Sequence, residues 1–188
     1  MPHRVGVVSI QGDFSKHLGA LARLPNVEGK EVRSLEDLAE VERLIIPGGE
    51  STTVGMLMQR YGLGEAIIKA AATGMPIWGT CMGMILLAKE VEGYEQYRLG
   101  LLDVTVQRNA FGAQVHSFED TVSMTDIDSP VLGVFIRAPI VTRLGENVVE
   151  MARYDDKIVA VRQGKVLGTS FHPELTEDLR VHEYFLSL

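Results

Sequence analysis

The chain has 188 residues, of which 46% are hydrophobic and 23% are charged, the profile of an ordinary globular protein. This length predicts one domain, residues 1–188, with a sizeable core. The formal net charge of −7 argues against a nucleic-acid or anionic-membrane surface as the main binding site, so we expect neither kind of partner.

Cysteine usage and apolar runs indicate the compartment. Cys81 is the single cysteine, which excludes an intrachain disulfide and favours the cytoplasm. The apolar run at residues 5–10 is too short for the core of a signal peptide. No run approaches the ~18 apolar residues of a membrane span. We therefore expect a cytoplasmic protein.

Strands and helices are predicted to alternate through the first half of the chain. The apolar run at residues 5–10 is typical of a strand buried on both faces, and apolar residues at helical spacing follow from Phe14 to Leu24. Ser51, Thr52 or Thr53 is expected to cap one later helix. Further strands are predicted at residues 29–33, 44–46 and 76–78, and further helices at 35–39, 50–61, 63–72 and after Cys81.

Short strands joined by turns are predicted in the second half, with a closing helix at residues 176–188. The strands are expected at residues 101–106, 121–124, 131–137, 148–152, 158–161 and 166–171, the last two forming a hairpin around Gly164. We therefore predict an α/β fold, a three-layer sandwich whose mostly parallel central sheet is flanked by helices, with antiparallel strands added in the C-terminal half.

Cys81 lies in the motif Gly-x-Cys-x-Gly, between a short apolar strand and a helical pattern. This order is typical of a nucleophile elbow, a tight strand-to-helix turn that exposes one reactive side chain. Glycines would flank the cysteine because the backbone segments of such a turn approach too closely to leave room for Cβ atoms. The N-terminus of the following helix would favour the thiolate, which is the nucleophilic form of cysteine. A cysteine that only packs as a small hydrophobe would fit the same motif.

His172 follows the predicted strand at residues 166–171, and Glu174 comes two residues later. A carboxylate in this place can hold the imidazole in one tautomer and stabilise the imidazolium, so the pair is a candidate general base with its orienting group. A histidine in a surface turn before proline is the simpler alternative.

Three further segments are candidates for binding an acyl substrate. Gly48, Gly49, Glu50 and Ser51 precede a helix and offer backbone N–H groups to a developing oxyanion, although an ordinary turn or a phosphate loop has the same composition. Arg108 and Arg137 each adjoin a predicted strand, where a guanidinium group can bind a carboxylate or remain on the solvated surface.

Together these motifs resemble the class I glutamine amidotransferases, and most closely the glutaminase subunits of pyridoxal 5′-phosphate synthase. The resemblance covers nearly the whole chain. It rests on Pro-Gly-Gly-Glu-Ser-Thr-Thr at 47–53, Gly-Thr-Cys-x-Gly at 79–83, Arg-Asn-x-Phe-Gly at 108–112, Val-Phe-Ile-Arg-Ala-Pro at 134–139 and Ser-Phe-His-Pro-Glu-Leu-Thr at 170–176.

The resemblance implies a glutaminase that hydrolyses L-glutamine through a Cys-His-Glu triad and a glutamyl thioester, without a metal or organic cofactor. It implies that Cys81 is the nucleophile, His172 the base and acid, and Glu174 its orienting group. Substrate binding is assigned to Gly49, Glu50, Ser51, Arg108, Ile136 and Arg137, and the oxyanion hole to Gly48, Gly49 and Met82. The implied partner is the synthase barrel subunit, which receives the ammonia within a hetero-oligomer.

Two positions depart from the family pattern. Met82 stands where alanine is more frequent, and Lys16 where a glutamate often precedes the first helix's histidine. Three alternatives remain: a glutaminase serving another synthase, a non-catalytic regulatory subunit on the same fold, and a cysteine peptidase with a similar elbow.

Overall fold

Strands and helices alternate through the first half of the structure, a computed structural model that describes residues 1–112 and 116–188. The first half contains β1 His3–Val8, α1 Phe14–Ala22, β2 Val27–Val32, α2 Leu35–Ala39, β3 Arg43–Ile46, α3 Ser51–Arg60, α4 Leu63–Ala72, β4 Ile77–Thr80 and α5 Met82–Leu87. The second half contains β5 Ala88–Val91, β6 Leu102–Gln107, β7 Ser117–Val122, β8 Val131–Ile136, β9 Ile140–Leu144, β10 Val149–Tyr154, β11 Lys157–Gln163, β12 Val166–Thr169, a 3-10 turn Pro173–Leu175 and α6 Arg180–Leu186.

The central sheet has a parallel half and a mainly antiparallel half. Its strand order is β2-β1-β3-β4-β12-β11-β9-β6-β5, and β10 pairs with β11. The strands from β2 to β12 are parallel, whereas β11 and β9 each pair antiparallel with both neighbours. Strands β7 and β8 form a separate antiparallel ribbon. The predicted fold class and the hairpin around Gly164 are confirmed.

Two buried apolar clusters cover the two faces of the sheet and create three layers. On one face, α3, α4 and α5 pack on β3 and β4 through side chains such as Met58, Ile67 and Ile46. On the other, α1, α6 and the β7–β8 ribbon pack around Trp78 and Phe185. Within residues 1–112 and 116–188, no helix is long and apolar enough to cross a membrane.

Two local predictions were wrong, each for a local physical reason. Glu50, not a serine or threonine, is the N-cap of α3, because its carboxylate accepts from the N–H groups of Thr52 and Thr53 at 3.1 and 2.8 Å. The closing helix starts only at Arg180, because the Thr176 hydroxyl accepts from the Asp178 N–H (3.2 Å) and competes with helical pairing. The helix predicted after Cys81 is present as α5 and ends at Leu87, where Ala88 turns extended to pair with β6.

Strand β9 was missed altogether, since residues 140–144 alternate poorly and follow a proline. It joins the sheet because β6 and β11 pair with it from either side. Tertiary pairing, and not local propensity, therefore decides this segment.

Helix α5 lies unusually close to the sheet. A Cβ atom added to Gly83 would lie 2.0 Å from the carbonyl oxygen of Ile46, at the end of β3. A Cβ added to Gly79 would lie 2.4 Å from the Gly83 backbone. These two positions therefore require glycine, as the motif around Cys81 predicted, and they determine how closely α5 approaches β3 and β4.

We expect Gly83→Ala to destabilise the protein by about 3 kcal/mol, because the new methyl group overlaps backbone that cannot rotate away. Chemical denaturation followed by circular dichroism measures the change. Gly19→Ala is the matched control. Gly19 lies exposed within α1 with no atom within 4 Å of an added Cβ, so alanine there should stabilise by about 0.5–1 kcal/mol. Equal effects of the two substitutions would contradict the close approach.

Candidate active site

Cys81 occupies the turn between β4 and α5 in a strained backbone conformation. Its φ is 51° and its ψ is −106°, values that residues other than glycine rarely adopt. The turn is held by the Cys81 N–H, which donates to the carbonyl of Thr169 at the end of β12 (2.7 Å). Cys81 is partly exposed, so the predicted strand-turn-helix elbow presents its thiol at the carboxyl edge of the sheet.

His172 lies just beyond the end of β12, the strand that pairs with β4 in the sheet. Its backbone N–H donates to the Val134 carbonyl (2.8 Å), which fixes the loop against β8. Its Nδ1 atom lies 2.7 Å from Glu174 Oε1, and both side chains are buried. The structure thus places His172 and Glu174 as an oriented pair, and not in the surface turn that was the alternative.

The charges of this pair depend on its neighbours. Burial opposes protonation of the imidazole, but hydrogen bonds with Cys81 and Glu174 outweigh it and raise the pKa of His172 to about 10. Burial also opposes ionisation of the carboxyl, but contact with His17 and the hydrogen bond with His172 lower the pKa of Glu174. An imidazolium held by the Glu174 carboxylate is therefore the favoured state of the pair at neutral pH.

A pocket of about 300 Å³ opens over Cys81. This volume is near the lower end of the range for small-molecule sites. The pocket collects most of the predicted site residues from separate parts of the chain. Its walls include Asp13, Gly49, Glu50, Ser51, Cys81, Met82, Ile85, Arg108, Asn109, Ile136, Arg137 and His172.

Opposite charges line one wall of the pocket. Arg108 Nη2 lies 3.9 Å from Glu50 Oε1, and the guanidinium carbon lies 4.6 Å from the centre of the Tyr94 ring. The Glu50 carboxylate is further fixed as the N-cap of α3. Ser51 lines the same wall, although its hydroxyl donates to Gln96 Oε1 (3.0 Å). Together these side chains offer a cation and an anion to one small ligand.

Ile136 and Arg137 line the pocket from the end of β8. The Ile136 carbonyl oxygen lies 3.7 Å from Cys81 Sγ. Arg137 has a φ of 46°, and its backbone N–H donates to the His116 carbonyl (2.8 Å). Its side chain is exposed at the pocket rim, so a ligand can reach it without displacing protein.

The Gly48-Gly49 loop contacts both His172 and the β1–α1 loop. A Cβ atom on Gly48 would lie 2.5 Å from His172 Cε1, so only glycine lets the imidazole lie here. The Gly48 carbonyl accepts from the Asp13 N–H (3.1 Å), and the Glu50 N–H donates to Gln11 Oε1 (2.8 Å). The loop is therefore held by residues of the β1–α1 connection.

Met82 begins α5, where the first backbone N–H groups lack intrahelical partners. Its side chain is buried in the apolar cluster with Ile46 and Ile85, so the larger residue is accommodated by the core. Lys16 is exposed on α1 and does not line the pocket. The two departures from the family pattern thus leave the geometry around Cys81 intact.

One group of side chains has the spacing of a possible metal site. Ligand atoms of Asp13, His172 and Glu174 lie within 4.8 Å of one another. A metal there would take His172 Nδ1 from Glu174, with which it makes a 2.7 Å hydrogen bond. The geometry therefore favours the hydrogen bond, and the absence of a metal stays a prediction.

Comparison with known families decides which class of protein contains this site. The model of the SNO glutamine amidotransferase family matches residues 7–188. The chain belongs to this family. The prediction of an enzyme of the glutamine amidotransferase class is thereby confirmed.

Relatives of the SNO family member are similar over their full lengths. Proteins named pyridoxal 5′-phosphate synthase subunit PdxT are 55% identical in Thermus thermophilus, over 98% of this chain and 96% of the relative, and 56% identical in Herpetosiphon aurantiacus, over 98% and 99%. A solved structure titled glutamine amidotransferase is 54% identical with a TM-score of 0.93 over 97% of both chains. PurLQS from Thermotoga maritima, 21% identical with a TM-score of 0.75 over 100% of this chain and 99% of that chain, shares the fold.

Several residues at or below the site were not predicted from the sequence. Tyr94 stacks on Arg108, and Asp13 and Asn109 line the pocket. His17 lies against Glu174 on the buried side of the site, and His182 contacts His17. No sequence spacing signals these contacts, because each one joins segments that are distant along the chain.

We expect the His172 imidazole to titrate well above its ordinary pKa of 6.5, because interactions with Cys81 and Glu174 outweigh the effect of burial. NMR of histidine-labelled protein measures the midpoint, with His172→Gln used to assign the signal. Cys81→Ala removes the first of the stabilising partners and should lower the midpoint by at least about one pH unit. A midpoint near 6.5 in both proteins would contradict the pairing.

Proposed function

We propose that this chain is the glutaminase subunit of a pyridoxal 5′-phosphate synthase, acting as a single glutamine amidotransferase domain over residues 1–188. The observation that carries the proposal is the oriented His172–Glu174 pair beside Cys81, in a small charged pocket of an SNO family member. The PdxT names of the full-length relatives support the pathway.

The first half of the proposed reaction forms a glutamyl thioester. The Cys81 thiolate attacks the side-chain amide carbon of glutamine, and backbone N–H groups from the Gly48-Gly49 loop and Met82 stabilise the tetrahedral oxyanion. His172 then donates its proton to the amide nitrogen, the C–N bond breaks, and ammonia leaves. The high proton affinity of His172 supports its role as the acid of this step.

The second half hydrolyses the thioester. His172, now neutral, takes a proton from water as the hydroxyl oxygen attacks the thioester carbon, and glutamate leaves as the thiolate reforms. Glu174 holds the Nδ1–H of His172 through both halves and stabilises the imidazolium. These steps balance without a metal, an organic cofactor or a redox partner.

The pocket supports a zwitterionic substrate. We assign the α-carboxylate of glutamine to Arg108 and Arg137, and its α-ammonium group to Glu50, which lies on the same wall as Arg108. The backbone at Gly49, Ser51 and Ile136 completes the walls around the side chain. A pocket of about 300 Å³ leaves little room for a peptide, which argues against the cysteine peptidase.

The proposed partner is the synthase barrel subunit, to which ammonia passes within a hetero-oligomer. The Gly48-Gly49 loop is held by Asp13 and Gln11 from the β1–α1 connection. A partner that binds this connection can therefore change the conformation of the Gly48-Gly49 loop, which would couple glutamine hydrolysis to complex formation. A glutaminase serving a different synthase would use the same triad, so only the partner distinguishes the two functions.

We expect this chain to release glutamate and ammonia from glutamine slowly when alone and faster when mixed with a pyridoxal 5′-phosphate synthase barrel subunit. Cys81→Ala should lower turnover by a factor of at least about 10³ because it removes the nucleophile. A coupled glutamate dehydrogenase assay measures both rates. Turnover that does not change when the barrel subunit is added would contradict the proposed pathway. No turnover with or without the barrel subunit would contradict the proposed glutaminase activity.

We expect Arg108→Met to raise KM for glutamine about 10- to 100-fold, the change for a lost hydrogen bond to a charged group, while kcat changes little. Steady-state kinetics at saturating partner measures both constants. Arg153→Met is the matched control, since Arg153 pairs with Glu150 and does not line the pocket. A change confined to kcat would contradict the assignment of Arg108 to substrate binding.

A further inference from the structure

A second pair of histidines lies behind the triad carboxylate. His17 of α1 and His182 of α6 are both fully buried, and their Nδ1 and Nε2 atoms, respectively, are 3.1 Å apart. His17 Nε2 lies 3.4 Å from Glu174 Oε2 and 3.2 Å from Thr80 Oγ1. The mechanism above uses only the other oxygen of Glu174, so these contacts have no role in it yet.

Oxygen Oε2 of Glu174 needs a partner. It is buried and makes no hydrogen bond within residues 1–112 and 116–188, although His17 Nε2 lies 3.4 Å away. A carboxylate oxygen can only accept, and leaving it bare in the interior is unfavourable. His17 Nε2 is the nitrogen that faces it, so the carboxylate requires the proton of His17 to be on Nε2.

This requirement assigns the protons of both histidines. With Nε2 of His17 protonated, its Nδ1 is an acceptor and must receive the proton of His182 Nε2. His182 Nδ1 then carries no proton and only a lone pair. This agrees with the structure, in which Nδ1 is buried and has no hydrogen-bond partner among the described residues. The opposite tautomers would bury an unpaired N–H group, which proteins tolerate less well than an unpaired acceptor.

We propose that His17 is a positioning residue for the triad: its Nε2–H, fixed by donation from His182 to Nδ1, holds the second oxygen of Glu174 and so orients His172 towards Cys81. The proposal rests on the proposed glutaminase function and extends it. In the resulting chain, His182 donates to His17 and His17 donates to one oxygen of Glu174. The other oxygen of Glu174 accepts from His172.

The charges around Glu174 agree with neutral donors. Burial lowers the pKa of His17, and lowers that of His182 to about 3, so both rings are neutral near pH 7. The other ionisable groups nearby are Asp13, whose carboxylate lies 3.9 Å from His172 Nδ1, and Arg23, which acts on His182. A neutral N–H donor stabilises the carboxylate without competing with the imidazolium for its charge.

Packing alone is the competing explanation. Trp78 contacts both imidazole rings edge to face. The distances between ring centroids are 5.4 Å to His17 and 4.9 Å to His182, so the two histidines also fill the core. Packing predicts that substitutions change stability in proportion to lost volume. Positioning predicts that the atom facing Glu174 matters more than the volume.

The test compares two amides that occupy the two ends of the imidazole. His17→Gln keeps an N–H group near the position of Nε2, whereas His17→Asn keeps a polar group near Nδ1 and leaves Glu174 Oε2 bare. We expect His17→Asn to lower kcat on the order of 10- to 100-fold with KM nearly unchanged, and His17→Gln to retain most activity. The holoenzyme, this chain with its barrel partner, is assayed on glutamine.

The pH profile of kcat separates positioning from packing. Loss of the donor raises the pKa of Glu174, whose ionised form is needed, so the acid limb should move to higher pH in His17→Asn and stay in place in His17→Gln. Equal losses in both variants that follow their melting temperatures, with no movement of the acid limb, would overturn the proposal.

A second readout does not depend on glutamine turnover. Cys81 is the single cysteine, so its alkylation by iodoacetamide is followed unambiguously by mass spectrometry. At pH 6, alkylation should be several-fold slower in His17→Asn than in wild type and His17→Gln. If wild type shows no glutaminase activity but this difference persists, the proposed function fails and the positioning role stands. Equal alkylation rates in all three would overturn the positioning role.

A further variant covers the case in which His17→Asn does not fold. His182→Phe keeps a ring against Trp78 and removes the donor to His17 Nδ1. It should lower kcat several-fold and move the acid limb in the same direction. A folded His182→Phe protein with an unchanged profile would overturn the proposal.

Discussion

The parallel pairing of β4 with β12 is the constraint on which the site depends. In this register Thr80 lies beside Thr169, so the next residues of both strands emerge at the same edge of the sheet. Cys81 follows one strand and His172 the other, and the Cys81 N–H donates to Thr169 across the pair. A slip of one residue would turn one of the two side chains to the opposite face and separate the nucleophile from its base.

Burying a charged group under this edge is unfavourable unless every atom that carries charge is paired. Glu174 pairs through one oxygen with a protonated His172, and in our proposal a neutral His17 donates to the other. The two helices that cover this face of the sheet supply His17 and His182. The layer that buries the core therefore also determines the electrostatics of the triad, so stability and activity share residues here.

Features set by residues close together in the sequence could be predicted, whereas features set by contacts between distant segments could not. The elbow and the parallel half of the sheet could be predicted, because strand runs and the glycines around Cys81 express local geometry. Strand β9 could not, because its neighbours pair with it from distant parts of the chain. His17 was invisible for the same reason, since a histidine on an apolar helix face looks like packing until α6 and the 3-10 turn are placed against it.

The same reasoning bears on how glutamine would be recognised among amino acids. Glu50 and Arg108 lie 3.9 Å apart, too far for a strong hydrogen bond, and each has a second partner, the N-terminus of α3 or the Tyr94 ring. Their positions are thus fixed independently of each other, and a zwitterion can contact both charged groups with little rearrangement. In the proposed function these two charges hold the backbone of the substrate. The distance from them to Cys81 then sets the length of the side chain that can react, and this selects among amino acids by geometry.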